Sequence, residues 1–213
     1  MRGFWAVQAS GPIQIIANST GNNSQGQPLN GGDIIIGRDE VTGALSKTTD
    51  VSGAQLQSNQ GFVETSGKWL NTKGAQIKAA QWLLDPTDIT IVSADTATAN
   101  TPKTNASGTD TYQQADATNT SEILNTDISN ALSNGTNVLI KTTNSSGTGN
   151  GDITVSANIT ATSAVAQDAT LTLQAERDIV VNNSISRTGT NKLNVVFNSD
   201  LDGNGIGSIR MNP

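Results

Sequence analysis

Residues 171–181 read Leu171-Thr172-Leu173-Gln174-Ala175-Glu176-Arg177-Asp178-Ile179-Val180-Val181. Two aliphatic runs of strand length stand here, separated by little more than Glu176. The first alternates Leu with Thr and Gln, as a strand with one buried face does; the second is β-branched and opens on Asp178. The same two-part unit recurs along the chain. Val138-Leu139-Ile140-Lys141-Thr142 precedes Gly151-Asp152-Ile153-Thr154-Val155, and Leu193 to Phe197 precedes Gly205-Ile206-Gly207-Ser208-Ile209. Near the start, Ile13-Gln14-Ile15-Ile16-Ala17 precedes Gly32-Asp33-Ile34-Ile35-Ile36, and Ile159 and Ile185 follow Asp152 and Asp178 at one shared spacing. Strands stay constant while connectors vary from one residue to the Asn/Gly-rich stretch 18–31.

A unit that keeps its strands and varies its loops reads as stacked repeats. Each repeat buries a few aliphatic side chains against its neighbours, and strand pairing between repeats supplies the hydrogen bonds. With strands about 4.8 Å apart, loops lengthen without disturbing the stack. The expected fold class is therefore all-β, a parallel β-helix, favoured over a β-sandwich because sandwich strands would share no two-part template with a repeated Asp-Ile.

Composition agrees. Asn, Ser and Thr make up 71 of the 213 residues, hydrophobic residues are 34%, aromatics 3% and charged residues 14%. Typical domains hold roughly 45–50% apolar and about 25% charged residues. A thin interior lined by small aliphatics needs no more than this chain supplies, whereas one thick core does. The net charge of −6 is too small for disorder driven by self-repulsion. It also argues against nucleic acid as a partner. With no Cys and no His, disulfides, Cys/His zinc sites, Cys nucleophiles and Ser-His-Asp triads are excluded. No apolar run reaches the roughly 20 residues of a membrane helix, so no membrane insertion is expected. Residues 1–9 lack the apolar run of a secretion signal, so for an exported protein the signal is expected elsewhere.

Two regions depart from the template. Residues 93–120 are small and polar without periodicity, and read as a long polar surface loop. Residues 121–133 read as one short amphipathic helix, with Ser121 as N-cap, Leu124, Ile128, Ala131 and Leu132 on one face, and Asn134-Gly135 as the stop. The helix is expected to cover the flank or end of the stack. The whole of 1–213 reads as a single segment, expected to belong to a longer chain.

Residues 61–91 carry a further string: Gly61-Phe62-Val63-Glu64-Thr65-Ser66-Gly67-Lys68, then Gly74-Ala75-Gln76-Ile77, then Trp82-Leu83-Leu84-Asp85-Pro86-Thr87-Asp88-Ile89-Thr90-Ile91. This string resembles a segment of filamentous-haemagglutinin-type exoproteins, the secreted partners of bacterial two-partner secretion systems. The stretches Ile123 to Leu132, Gly135-Thr136-Asn137-Val138, Leu171-Thr172-Leu173-Gln174-Ala175, Arg177-Asp178-Ile179 and Leu193-Asn194-Val195 resemble the same proteins. The resemblance implies a right-handed parallel β-helix passenger, exported through an outer-membrane secretion partner and held at or shed from the bacterial surface. It also implies adhesion, through a glycan or protein of host cells, matrix or other bacteria. A signal peptide and a secretion-recognition domain are not recognisable in the chain.

Few residues suggest chemistry. Asp200-Leu201-Asp202-Gly203-Asn204-Gly205 matches the first half of a calcium loop, with Asp200, Asp202 and Asn204 as oxygen ligands. The twelfth position is Met211 where a bidentate Glu would stand, and Asp-Gly and Asn-Gly are also ordinary turn pairs. No other cofactor is expected. Parallel β-helices also host polysaccharide lyases and hydrolases, which need paired carboxylates. Asp85 and Asp88, with Glu64 from another turn, are the candidates for that alternative; Asp85-Pro86 reads equally as a turn. Trp5, Trp69 and Trp82 read as core or end-stacking residues ahead of a sugar platform. The expectation is no enzyme: an adhesive passenger segment, with a depolymerase or the stalk of a contact-dependent toxin as alternatives. Asp33, Asp152 and Asp178 form a repeated row that invites a metal ladder, but an Asp before a strand caps its own turn. Asn-x-Ser/Thr triplets at Asn18, Asn22, Asn105, Asn119, Asn134, Asn144, Asn158 and Asn182 are frequent in such a composition and admit glycosylation.

Overall fold

The computed structural model describes residues 13–94, 103–106, 109–112, 120–144 and 149–212. The chain passes repeatedly through three sheet positions built of parallel strands, in one order except that the fourth pass opens with a strand set back between the third-position strands of the second and third passes. The first pass lays down β1 (Gln14–Ile16), β2 (Asp33–Ile36) and β3 (Thr48–Asp50). The second adds β4 (Gln55–Gln57), β5 (Phe62–Ser66) and β6 (Trp69–Asn71), and the third adds β7 (Gln76–Lys78), β8 (Gln81–Asp85) and β9 (Asp88–Val92). Between the third and fourth passes lies the polar stretch. It contains an antiparallel pair, β10 (Lys103–Ala106) and β11 (Thr109–Tyr112), where the sequence predicts only loop. The fourth pass is β12 (Thr120–Leu124), the helix α1 (Asn125–Ser133), β13 (Asn137–Lys141) and β14 (Ile153–Val155). The fifth is β15 (Ile159–Thr162), β16 (Ala169–Gln174) and β17 (Ile179–Val181); the sixth is β18 (Ile185–Thr188), β19 (Leu193–Asn198) and β20 (Ile209–Met211).

The six-stranded sheet runs β2-β5-β8-β13-β16-β19, every pair parallel. A second sheet runs β12-β9-β14-β17-β20, with β3-β6 alongside, and the third sheet position holds β1-β4-β7 and β15-β18. Register is kept from strand to strand, so identical or similar aliphatics stand one above another. Val63, Trp82, Val138, Leu171 and Val195 form one row, and Leu84, Ile140, Leu173 and Phe197 another. Ile89, Ile153, Ile179 and Ile209 form a third. Most of these side chains are fully buried, each worth about 1.5–3 kcal/mol.

The described residues are thus mostly β, in parallel sheets, with one short helix. Two expectations change. The two-part unit is one sheet out of step at its first occurrence: the strands at 13–16 and 33–36 lie in the β1-β4-β7 sheet and the six-stranded sheet, whereas the later pairs lie in the six-stranded sheet and the β12-β9-β14-β17-β20 sheet. The helix also begins at Asn125, because Ser121 and Ile123 are drawn into β12 beside Ile89 and Ile91. Leu124, in extended conformation, is the residue before the helix, without a side-chain cap; Ser121 instead accepts the Leu70 N–H. The stop falls where predicted. Gly135, at φ +78, lets its N–H reach the Leu132 carbonyl and the Thr136 N–H reach that of Ala131, closing the last turn.

Candidate functional site

Short polar side chains join one pass of the chain to the next at the corners between sheets, where backbone ladders break. Asp88 accepts from the Asp152 N–H at 2.8 Å and the Asn150 N–H at 3.1 Å. Asp152 in turn accepts from the Asp178 N–H at 3.0 Å, and Asp178 from the Ser208 N–H at 2.9 Å. The row is therefore Asp88, Asp152 and Asp178, not Asp33, Asp152 and Asp178: Asp33 stands in another sheet, level with Phe62. Asp152 and Asp178 satisfy the neighbouring pass where the sequence predicts caps of their own turns. Arg177 joins Asp152 through Nε at 2.8 Å and through its Nη2, and Arg210 joins Asp178 at 3.1 Å. The Ser208 hydroxyl and N–H, with Arg210 and Arg177, hold the Asp178 carboxyl below its usual range against the opposing effect of burial. Asn18, Asn137 and Asn158 do the same work with neutral amides, accepting from the Asn59, Thr170 and Ser184 N–H groups.

Of the carboxylates considered for catalysis, Glu64 and Asp88 are committed to other groups, and Asp85 is paired through one oxygen while the other is buried without a hydrogen bond among the described residues. Glu64 is fully buried in a two-point pair with Arg38 at 2.6 and 2.7 Å, and it accepts from Ser66. Asp85 is buried, with Lys141 Nζ 3.7 Å away, and burial pushes its carboxyl above the usual range. Asp88 belongs to the corner row. Trp82 lies in the core with its indole N–H donating to Thr65 at 3.0 Å, and Trp69 is buried; Trp5 lies outside the described residues.

Asp200, Asp202 and Asn204 stand on one tight loop, Asp200 at φ +56. Asp200 accepts from the Gly205 N–H at 3.0 Å, Asp202 from the Asn204 amide at 2.7 Å, and Asn204 from the Ile206 N–H at 2.7 Å. Among the described residues no group of three or more acidic side chains gathers at metal-binding distance. Of the Asn-x-Ser/Thr triplets, Asn22, Asn134, Asn158 and Asn182 are exposed, Asn18 and Asn144 half-buried. Asn119 and the side chain of Asn105 fall outside the description.

One buried acid escaped the sequence reading. Asp127, in the first turn of α1, is 4% exposed and accepts from the Gly74 N–H and the Thr72 hydroxyl, both at 3.2 Å. Burial, only partly offset by those bonds, pushes its carboxyl up to about 6. Its position invited no special reading, since acids are common in first helical turns. The opposite face of α1 presents Ser129 and Ser133, whose hydroxyls accept the Thr160 and Thr162 N–H groups at 3.1 and 2.8 Å. The helix thus stands between β7 and β15, where a strand would otherwise pair with both.

The described architecture is a parallel all-β stack with one helix set into it. No protein-family model, curated protein or solved structure matches the chain.

Proposed function

We propose that the chain is a segment of a right-handed parallel β-helix, a passenger of the filamentous-haemagglutinin type, that serves as an adhesive rod on a bacterial surface. The supporting observation is the repeated passage through three parallel sheets in constant register, which stacks layer on layer and leaves Gln, Asn, Thr and Ser pointing outward. Such a surface offers many weak donors and acceptors at the strand spacing, suited to multivalent contact with a surface glycan or protein. In this reading the segment is not catalytic: Glu64, Asp85 and Asp88 are bound to Arg38, Lys141 and backbone N–H groups. Export requires an outer-membrane secretion partner for the parent chain. Calcium, in the same reading, sits on Asp200, Asp202 and Asn204; a rise in Tm on adding millimolar calcium supports it, and an unchanged Tm removes it.

Adhesion is tested with beads coated with the purified chain. They are expected to bind epithelial monolayers or bacterial lawns saturably and to be displaced by soluble chain. Binding no greater than that of albumin-coated beads overturns the proposal, as does release of reducing ends or unsaturated products from a polysaccharide panel.

A further inference from the structure

Where α1 replaces a strand, the surface is not flat. A helix with its side chains is roughly 10–12 Å across, against the 4.8 Å that a paired strand occupies. On the β15 side Ser129 and Ser133 close the gap. On the β7 side a groove of about 380 Å³ remains, within the roughly 300–1,000 Å³ of small-molecule sites. Leu56, Ile77 and Ala131 form its floor, Val165 closes one side, and its rim carries Gln55, Gln57, Gln76, Lys78, Asn130 and Asn134.

The rim differs from the corners in what its side chains do. Asn18, Asn137 and Asn158 are spent on backbone N–H groups. Gln76, Lys78, Asn130 and Asn134 are committed to no side-chain hydrogen bond or ion pair among the described residues, while Gln55 holds Gln14 and Gln57 holds Asn59. Each free amide presents a donor and an acceptor together, the complement of adjacent hydroxyls. Lys78 is the one charged group on the rim and fixes the place of one anion. An added peptide strand would need a run of open backbone groups, but the Gly74 and Ala79 N–H groups flanking β7 are already taken by Asp127 and Thr136.

We infer that the groove between β7 and α1 binds a carboxylate-bearing, hydroxyl-rich glycan, with Lys78 on the carboxylate and Gln76, Asn130 and Asn134 on the hydroxyls. The inference rests on the adhesive reading only in giving that reading a ligand; the groove and its free side chains stand without it. The test is calorimetric titration of the purified chain with oligogalacturonate hexamers and with their carboxyl-reduced counterparts. Saturable binding of one hexamer per chain is expected, about tenfold weaker after carboxyl reduction and about tenfold weaker in Lys78→Gln, the loss of one charge-assisted bond. Asn130→Ala/Asn134→Ala is expected to weaken both sugars, and an unchanged Tm in each variant shows that the fold is intact. No binding at millimolar sugar, or binding that Lys78→Gln and the Asn variant leave unchanged, overturns the inference. Bead adhesion with the same variants separates the two claims. Adhesion undiminished by variants that weaken sugar binding divorces the groove from the rod's adhesion, and absence of adhesion by the native chain that still binds the sugar overturns the adhesive reading alone.

Discussion

At the scale of single residues, the abundance of Asn, Asp, Ser and Thr has a structural reason. Backbone N–H groups at the corners between sheets find no partner in a ladder, and a buried N–H left unpaired costs about 1–3 kcal/mol. A short polar side chain one pass away supplies the acceptor, as Asp88, Asp152 and Asp178 do in succession. Charged residues that are buried carry larger stakes. Replacing Arg38 by Met strands the Glu64 carboxylate, and a loss of about 3–5 kcal/mol in urea denaturation is expected. Adding Glu64→Gln to that variant should restore part of it; a single variant as stable as the native chain would refute the pairing. Asp127 acts through pH. Its folded carboxyl titrates near 6 against 3.8 for the ordinary group, so the native state holds its proton more tightly than the unfolded chain. Protonation therefore stabilises the fold as pH falls from above 6 towards 4, and the penalty of the buried charge is fully present above 6. Asp127→Asn is expected to raise Tm at pH 8, with the gain shrinking to nothing below about pH 4. A gain that is equal at both pH values would contradict the assignment.

At the scale of elements, α1 shows how a helix can stand in a parallel stack. Ser129 and Ser133 lie one helical turn apart and meet Thr160 and Thr162, two residues apart on β15, so two hydroxyls replace a strand's carbonyls. Ser129→Ala and Ser133→Ala are each expected to cost about 1–3 kcal/mol by chemical denaturation, and faster amide exchange should appear at Thr160 or Thr162. Unchanged exchange there would contradict the seam. The longer aliphatic strands were legible as runs of strand length, some alternating with Thr, Gln or Asn: 138–140, 171–173, 179–181 and 193–197 all lie in strands. The short ones were not. Leu56 between Gln55 and Gln57 is a strand with one inward side chain, too brief for a periodic signal, and the same shortness hid β3 and β6. The start of α1 was misplaced for a related reason. Leu124 extends the helical apolar face on paper, but pairing of β12 with β9 claims it, a tertiary preference that local periodicity does not encode. The corner acids were visible as a repeat, yet their partners lie 26 to 64 residues away, beyond the reach of local turn rules.

At the scale of the whole molecule, the rows of aliphatics explain both the thin core and the tolerance of long connectors. A loop such as 18–31, or the polar stretch after β9, leaves the stack as long as the strands on either side return to register. Gly37 marks how tightly the passes approach: at φ +90, with an added Cβ falling on the Ser66 carbonyl, Gly37→Ala is expected to lower Tm by many degrees, and a wild-type melting profile would refute that packing. The stack itself is most directly tested by disulfide trapping, which the absence of native cysteine makes unambiguous. Thr154 and Val180 are register partners on adjacent parallel strands, a separation within the Cα range that a disulfide spans. The pair Thr154→Cys/Val180→Cys should oxidise to an intramolecular bond without loss of fold, while Thr154→Cys/Arg210→Cys, one strand further, should stay reduced. Rapid bonding of the second pair and none of the first would contradict layers stacked in this register.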